Sequence, residues 1–254
     1  MDINQILYVA MYAGKIMLES GAETYRVEET IDRICKSYGI AEVDSYATPT
    51  VIIVSVYSKG HTSSLVRRIS SISVDLNKID MVNNLSRNIE RENLSIYDLE
   101  DRLKIIESKE RYSFKITLLF SALGAFGFVF LFGGSFVDAI SAFFIGFIVK
   151  YVTIKGSEIK INPFFINSIS AGVLAFFAIL SVKIGLASDI DKVIIGSIML
   201  LVPGLSITNA IRDTVAGDLV SGLARGTDAF LTAIAIAIGT GTVLSLWINI
   251  FGGL

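Results

Sequence analysis

Long apolar runs fill the chain from residue 114 onward, and they restrict its fold more than any other feature. Of the 254 residues, 52% are hydrophobic and 18% are charged, and most of the charges precede Lys115. A domain that folds in water rarely has so apolar a composition. The runs approach the ~20 residues that a membrane-spanning helix needs, and they cover residues 114–132, 136–154, 164–184, 193–207 and 229–251. We therefore predict that residues 111–254 form an all-α polytopic membrane domain of about five transmembrane helices.

The first 110 residues have a more ordinary composition and alternate between two periodicities. Apolar residues recur at helical spacing in some segments, while others are short and rich in Val, Ile, Tyr and Thr, as strands are. Ser95 and Asp98 form a capping box, which marks a helix start. The predicted helices cover 3–18, 23–38, 75–89 and 95–108, and the predicted strands cover 43–48, 51–57 and 61–68. The sequence thus predicts a cytosolic α+β domain over residues 1–110, with a turn at Ser58-Lys59-Gly60.

Composition also excludes several classes of function. A net charge of −2 provides no basic surface for nucleic acid. The single cysteine, Cys35, excludes an intrachain disulfide and a cysteine-based metal cluster, and we expect no metal or cofactor. The first residues lack the basic segment and the cleavage site of a signal peptide, so we expect the N-terminal domain to stay in the cytosol.

Lysine and arginine in the short loops predict the orientation of the membrane domain. One set of alternate loops is basic and contains Lys109, Arg111, Lys115, Lys150, Lys155, Lys160, Arg212 and Arg225. The other set contains only Lys183 and Lys192. Basic loops face the cytoplasm, so we predict a cytoplasmic N-terminus and an extracytoplasmic C-terminus.

Residues 200–228 are a polar stretch between the last two apolar runs. Ionisable residues between membrane spans are costly and usually functional. The candidate residues of a substrate or ion path are Pro203, Thr208, Asn209, Arg212, Asp213, Gly217, Asp218, Ser221, Arg225 and Asp228. If residues 208–228 form one helix, its phase places Asp213, Gly217, Asp218, Ser221, Arg225 and Asp228 on one side.

Two structural interpretations of this stretch remain open. It could be an amphipathic helix at the membrane surface, whose charges meet water and lipid headgroups. Alternatively, Arg212–Asp218 and Asp213–Arg225 could be ion pairs that only hold helices together. No catalytic constellation surrounds the only histidine, His61, so we do not expect an enzyme.

Charged residues also cluster at a helix break, Ser20-Gly21, near the N-terminus. On charge pattern alone, a solvated helix face with a capping serine explains them. The functional alternative is a contact site for the cytoplasmic mouth of the membrane domain or for a regulatory ligand. Its candidate residues are Glu19, Ser20, Glu23, Thr24, Arg26 and Glu28.

Two stretches together resemble the signatures of the threonine/serine exporter (ThrE-type) family. The N-terminal signature is Ser20-Gly21-Ala22-Glu23-Thr24-Tyr25-Arg26-Val27-Glu28. The C-terminal signature comprises Pro203-Gly204, Thr208-Asn209-Ala210-Ile211-Arg212-Asp213, Ala216-Gly217-Asp218, Ser221-Gly222 and Ala224-Arg225. The resemblance implies a secondary exporter of threonine or serine in the inner or plasma membrane, driven by an ion gradient. A zwitterion with a hydroxyl suits such a stretch, because arginine binds carboxylate, aspartate binds ammonium, and Ser, Thr or Asn binds hydroxyl.

The chain departs from the family in its number of spans. Full-length members have about ten spans, so a chain with about five resembles the larger subunit of the split form. That resemblance implies a smaller membrane subunit as partner, and it leaves dicarboxylate (succinate) export as an alternative. An alternative of another class is a membrane-tethered cytosolic sensor or hydrolase, with the spans serving as an anchor.

Overall fold

The computed structural model describes residues 2–58, 60–109 and 112–252. The chain divides into two compact units. The first unit comprises Met1–Arg111 and Leu205–Gly226, and the second comprises Tyr112–Gly204 and Thr227–Leu254. The predicted boundary at residues 110 and 111 lies outside the described residues. The division also assigns most of the polar stretch to the unit that contains the N-terminal domain.

The first unit has the helices and strands that the sequence patterns predict. Its helices within the N-terminal domain are α1 (Ile3–Glu19), α2 (Thr24–Ser37), α3 (Leu76–Arg87) and α4 (Ile96–Ser108). Its strands are β1 (Glu42–Thr48), β2 (Val51–Ser58) and β3 (His61–Arg68). The predicted capping box is confirmed, because Ser95 accepts from the backbone of Asp98 and Asp98 accepts from the backbone of Ser95.

The strands form an antiparallel sheet in the order β1-β2-β3. Alternate residues of β2, Ile52, Val54 and Val56, are buried, as a sheet with one covered face requires. Helix α1 supplies much of the core, with residues such as Met11 and Met17 fully buried. It contacts α2, α3, α4, β2 and β3. Lys59, in the predicted turn between β2 and β3, lies outside the described residues.

The second unit contains the helices that are long and apolar enough to cross a membrane. The described residues contain four such helices, which are α5 (Phe114–Leu131), α6 (Phe136–Glu158), α7 (Pro163–Lys183) and α10 (Leu219–Phe251). The first turns of α10, up to Gly226, belong to the first unit. Asn162 caps α7, whose first residue is Pro163, as the sequence predicts.

The prediction of about five transmembrane helices is wrong at the fourth apolar run, residues 193–207. This run forms only α8 (Ile190–Ile198), a helix of nine residues. At 1.5 Å per residue it is about 14 Å long, roughly half of the bilayer core. Pro203 contributes to the break, because proline disfavours helical backbone at the residue before it. Helix α8 nevertheless packs inside the second unit, where Val193 and Ser197 are fully buried.

Asp138 is a structural anchor at the start of α6. Its Oδ2 accepts hydrogen bonds from the Ser135 backbone at 2.9 Å and from the Ser135 hydroxyl at 2.6 Å. Its Oδ1 accepts from the backbone N–H groups of Ser188 at 2.7 Å and Asp189 at 3.0 Å. Both oxygens are therefore satisfied, and Asp138 joins the start of α6 to the α7–α8 loop.

Candidate functional site

The polar stretch is a helical hairpin and not the single helix that its periodicity predicts. Helix α9 (Gly204–Ala216) ends before Gly217, and α10 begins at Leu219. Gly217 has φ +99°, a conformation that glycine adopts without the strain that a side chain would bring. The backbone N–H of Asp218 then bonds to the carbonyl of Asp213 at 2.9 Å. The predicted common face of residues 213–228 is therefore wrong, because the chain reverses within it.

The two segments of this hairpin cross closely at Gly222. A Cβ atom at this position would lie 2.1 Å from the Thr214 hydroxyl oxygen and 2.9 Å from the carbonyl oxygen of Ala210. Only a residue without a side chain permits this separation, since real Cβ contacts are essentially never below 3.0 Å. We call residues 204–226 the docked hairpin, because their polar side chains bind the N-terminal domain of the same unit.

The docked hairpin donates hydrogen bonds to three backbone carbonyls of the N-terminal domain. Asn209 Nδ2 donates to the carbonyl of Gly21 at 3.0 Å, and Arg225 Nη2 donates to that of Ala22 at 2.8 Å. Ser221 Oγ donates to the carbonyl of Ala47 at 3.3 Å. The first two carbonyls are in the α1–α2 loop, and Ala47 is near the end of β1. Residues of the predicted path and the predicted N-terminal contact site therefore meet in one place.

At the centre of this contact, one threonine hydroxyl lies between two carboxylates. Thr24 Oγ1 is 3.0 Å from Asp213 Oδ1 and 3.2 Å from Asp218 Oδ2. Thr24 and Asp213 are 0% exposed. Thr24 is the first residue of α2, and the positive end of a helix dipole favours negative charge nearby. The break at Gly217 is what brings Asp218 back towards Asp213.

Asp213 also pairs with Arg225, and both side chains are almost completely buried. Arg225 Nε is 3.0 Å from Asp213 Oδ2. The two charges attract each other, although these two atoms do not meet hydrogen-bond geometry. The expected pair Asp213–Arg225 therefore exists. The alternative pair Arg212–Asp218 does not form, because Arg212 pairs with Glu23.

Glu23 binds two arginines at the edge of the site. Its Oε2 is 3.1 Å from Arg26 Nε, and its other oxygen accepts from Arg212 Nη1. Glu23 precedes α2 without capping it through its side chain. The interpretation of this region as a solvated helix face is therefore wrong for Glu23 and Thr24, which are buried.

Glu28 is a further carboxylate on the same side of α2. Its Oε1 accepts a hydrogen bond from the backbone N–H of Ala47 at 2.7 Å. Ser221 donates to the backbone carbonyl of the same residue. Burial raises the pKa of Glu28 above its ordinary value, and the negative charges of Asp218 and Asp213 raise it further. The hydrogen bond from Ala47 acts in the opposite direction.

Other residues of the predicted path lie apart from this cluster. Thr208 is exposed, and Asp228 is exposed and belongs to the second unit, as does Pro203. In the N-terminal contact site, Ser20 ends α1, and Glu19 binds Ser73 through its carbonyl. The structure adds backbone acceptors at Gly21, Ala22 and Ala47. Residue types do not reveal such acceptors, and only Gly21 and Ala22 lie in a signature stretch that resembles the family.

Four candidate membrane-spanning helices define the class to which the chain belongs, a multi-pass membrane protein. A family model described as "Putative threonine/serine exporter" matches residues 8–247. The chain therefore belongs to the threonine/serine exporter family. It is a membrane transport protein and not an enzyme, and the alternative of a tethered sensor or hydrolase is wrong.

Individual relatives differ in length and in their stated substrates. The "Probable succinate transporter subunit YjjP" of Klebsiella aerogenes is 25% identical over 232 residues, which are 91% of this chain and 90% of the relative. The protein of the same name from Escherichia coli is 23% identical, with 94% and 93% covered. The "Probable threonine/serine exporter" of Mycobacterium tuberculosis is 21% identical, over 92% of this chain and 45% of the relative. No solved structure matches the chain.

Proposed function

We propose that this chain is a subunit of a secondary-active exporter of the inner membrane, with threonine or serine as its first substrate and an ion gradient as its driving force. Its site is the cluster in which the docked hairpin meets the α1–α2 loop and β1. The observation that carries the proposal is the convergence of both family signatures on Thr24, Asp213 and Arg225. Two stretches that are distant in sequence and bring ionisable side chains into one buried polar cluster form a candidate binding site.

The charges of the cluster favour a substrate that bears an ammonium group. Its arginines are already paired, Arg212 and Arg26 with Glu23 and Arg225 with Asp213. Among the residues that the structure describes, neither Glu28 nor Asp218 has an ion-pair partner. A cationic group would therefore complete the site, whereas a second anion would need an arginine to leave its carboxylate. Thr24 and Ser221 add hydroxyls of the kind that bind the substrate hydroxyl.

Dicarboxylate export is the second candidate, and a specific observation supports it. Two relatives that align with nearly the whole chain are named as probable succinate transporter subunits. About half of the Arg212 side chain is exposed. If the substrate is a dicarboxylate, Arg212 is therefore the arginine best placed to release Glu23 and bind a substrate carboxylate instead.

We further propose that a smaller membrane subunit completes the transporter. The YjjP relatives have the length of this chain and are named subunits, while the M. tuberculosis exporter is about twice as long. A chain equivalent to the additional half would supply the remaining spans. The purified chain alone should accordingly be inactive in transport.

The orientation follows from the basic loops, with the N-terminus in the cytoplasm. Because the docked hairpin binds the N-terminal domain, it lies on the same side of the membrane. Helices α5, α6 and α7 cross three times, so α8 and residues 199–203 must return the chain to that side. Helix α10 then places the C-terminus outside.

The test is reconstitution of the chain in liposomes, with and without a candidate small membrane subunit that co-purifies with it. Labelled threonine, serine and succinate are followed under an imposed pH or sodium gradient. We expect threonine or serine to move only with both subunits and a gradient. Transport of succinate without either amino acid would favour the second candidate. Transport by the chain alone would contradict the two-subunit proposal.

The same assay tests the site through Asp218→Asn. This change keeps the shape and one acceptor oxygen, and it removes a carboxylate that has no ion-pair partner among the residues the structure describes. We therefore expect export to fall to background while membrane insertion and thermal unfolding stay close to those of the unmodified chain. Asp191→Asn, at an exposed acid in the first turn of α8, is the matched control. Normal export by Asp218→Asn would remove this residue from the site.

A further inference from the structure

The outer surface of the docked hairpin is apolar and exposed, in contrast to its polar inner surface. Val215 of α9 is 83% exposed and Leu223 of α10 is 74% exposed, although both belong to a folded unit. Ile211 and Leu219 are also exposed on this surface. Large apolar side chains from both segments of the hairpin therefore form one patch.

This patch is a groove and not a convex ridge. The groove has a volume of about 560 Å³, and its lining combines the large side chains of the patch with the small residues Ala210, Gly222 and Gly226. Gly222 and Gly226 are four positions apart, so they lie on one face of α10. Small residues at this spacing let another helix approach closely. The groove is open at Gly226, where a Cβ atom would have Ala210 Cβ as its nearest neighbour, 3.9 Å away.

The length of α10 argues against lipid tails as the occupant of this groove. The helix has 33 residues, so it is about 50 Å long, whereas the bilayer core is ~30 Å thick. Even at a tilt of about 40°, only about 26 residues would lie within the core. The apolar run at 229–251 fills the core, because Arg225 and Asp228 precede it. The first turns of α10 therefore lie beyond the lipid tails, beside the N-terminal domain that they bind.

We propose that the groove between α9 and α10 is the docking site of the smaller membrane subunit, and that its occupant is an apolar helix at the cytoplasmic end of that subunit. An exposed apolar patch outside the bilayer core marks a surface that another protein covers. The proposal rests on the two-subunit form of the proposed function, and it adds the surface through which the two subunits bind.

The lengths of the relatives favour this occupant over a second copy of the chain. The match to the M. tuberculosis exporter covers 45% of that protein, which therefore contains a further segment about as long as this chain. Such a segment needs an apolar surface on which to pack. The YjjP relatives have about the length of this chain and are named subunits, so a separate polypeptide has to supply the equivalent segment.

Docking in the groove acts on the candidate site through the hairpin itself. The same two segments carry Asp213 and Arg225 on their inner surface, where both side chains are buried. A helix in the groove therefore holds α9 and α10 against the N-terminal domain. This gives a physical reason why the chain is active in transport only together with the smaller subunit.

The experiment introduces a photoreactive benzoylphenylalanine at Val215 or at Leu223 of the full-length chain, in cells that also express the candidate small subunit. Irradiation should join each position to the small subunit, and mass spectrometry identifies the product. The control position is Tyr97 on α4, an aromatic residue of the same unit that is 69% exposed and does not line the groove. The same probe at Tyr97 should give no such product.

Glutamate substitutions measure how far docking depends on the groove. Val215→Glu and Leu223→Glu should reduce the amount of co-purified small subunit by about tenfold or more, because burying an unpaired carboxylate against apolar side chains is costly. Both side chains are exposed in the chain itself, so thermal unfolding of the chain alone in detergent should be unchanged. Tyr97→Glu should affect neither measurement.

Three results would overturn the docking site while leaving a two-subunit transporter intact. They are photoproducts with phospholipid only, photoproducts that join two copies of this chain, and undiminished co-purification of the small subunit with both glutamate variants. Absence of any co-purifying small subunit would contradict the two-subunit form itself, and the docking site with it.

The photoproducts are formed by a chain whose hairpin keeps an apolar side chain. They therefore test the proposal even if a glutamate variant does not fold.

Discussion

At the scale of single residues, a buried aspartate in the second unit and one in the first unit have different hydrogen bonding. Asp138 accepts hydrogen bonds at both of its oxygens and joins two loops. Asp213 is equally buried, yet one of its oxygens has no hydrogen bond. A satisfied buried acid stabilises a fold, whereas an unsatisfied one stores interaction energy that a proton or ligand can release. This difference separates the anchor from the candidate site.

Replacing Asp138 should therefore destabilise the second unit. In Asp138→Asn, an amide NH₂ replaces one oxygen and faces backbone or hydroxyl donors. We expect a loss of about 1–3 kcal/mol in the free energy of unfolding, the typical penalty for leaving buried hydrogen-bonding groups unpaired. Thermal unfolding in detergent measures it, with exposed Asp191→Asn as the control. An unchanged unfolding temperature would show that the α6–α7–α8 contact does not depend on this carboxylate.

Glu28 should make the stability of the first unit depend on pH. Its pKa is raised in the folded chain, so the folded state binds more protons than the unfolded state between the two pKa values. Stability should then be greatest below the unfolded pKa, near 4.5, and fall as pH rises through the folded pKa. Glu28→Gln should flatten this fall and unfold at a higher temperature than the unmodified chain at neutral pH.

Unfolding curves across pH measure this effect, and Glu29→Gln at the exposed neighbour on α2 is the control. A pH profile of Glu28→Gln that coincides with that of the unmodified chain would show that Glu28 has the same proton affinity in both states.

At the scale of elements, the docked hairpin depends on a close crossing of α9 and α10. Its outer surface is apolar, with Ile211, Val215, Leu219 and Leu223 exposed. Its inner surface carries Asn209, Asp213, Ser221 and Arg225, which are buried against the N-terminal domain. The inner contacts require both segments to face the domain at once. The site therefore requires the close approach of α9 and α10 at Gly222.

Gly222→Ala tests this condition. The added Cβ would meet the Thr214 hydroxyl and the Ala210 carbonyl at distances that force the segments apart. We expect a destabilisation of about 1–3 kcal/mol, typical of overpacking, together with reduced export. Gly226→Ala is a matched control on the same helix, since its nearest neighbour would be Ala210 Cβ at 3.9 Å. Equal stability and export for both variants would mean that the hairpin opens without affecting the site.

At the scale of the whole molecule, the orientation across the membrane decides what the site can do. Asp138 holds the α5–α6 and α7–α8 loops together, so these loops lie on one side of the second unit. The α6–α7 loop lies at the other end of the same helices. With a cytoplasmic N-terminus, the docked hairpin meets substrate from the cytoplasm, as an exporter requires.

Two isosteric substitutions test the orientation in a Cys35→Ala background. Ser188→Cys is in the α7–α8 loop and Ser157→Cys is near the end of α6, and both serines are exposed. In sealed cells, an impermeant thiol reagent should label Ser188→Cys and should label Ser157→Cys only after permeabilisation. The reverse labelling pattern would invert the topology and place the docked hairpin outside.

Sequence alone determined the elements whose signal is local. The runs that became α5, α6, α7 and α10 are recognisable because hydropathy sums over neighbouring residues, and the capping box at Ser95 and Asp98 joins residues only three positions apart. The fourth apolar run is short and interrupted by Pro203-Gly204, which left a half-helix or a kinked helix open, and the structure shows the short helix α8. The signatures near residues 20 and 213 indicated the family and the candidate residues. They did not indicate that the two signatures contact each other in the folded chain.

Only the tertiary structure decided how the site is assembled. Thr24 and Asp213 are 189 positions apart, and no periodicity encodes a contact over that distance. Helical phase predicted the position of Asp218 on the assumption of an unbroken helix. In the structure, the positive φ of Gly217 breaks the helix and brings Asp218 close to Asp213. The remaining contacts use the carbonyls of Gly21, Ala22 and Ala47, which every residue type possesses. Their directions depend on the fold of the surrounding chain, and so the site exists only once that fold has formed.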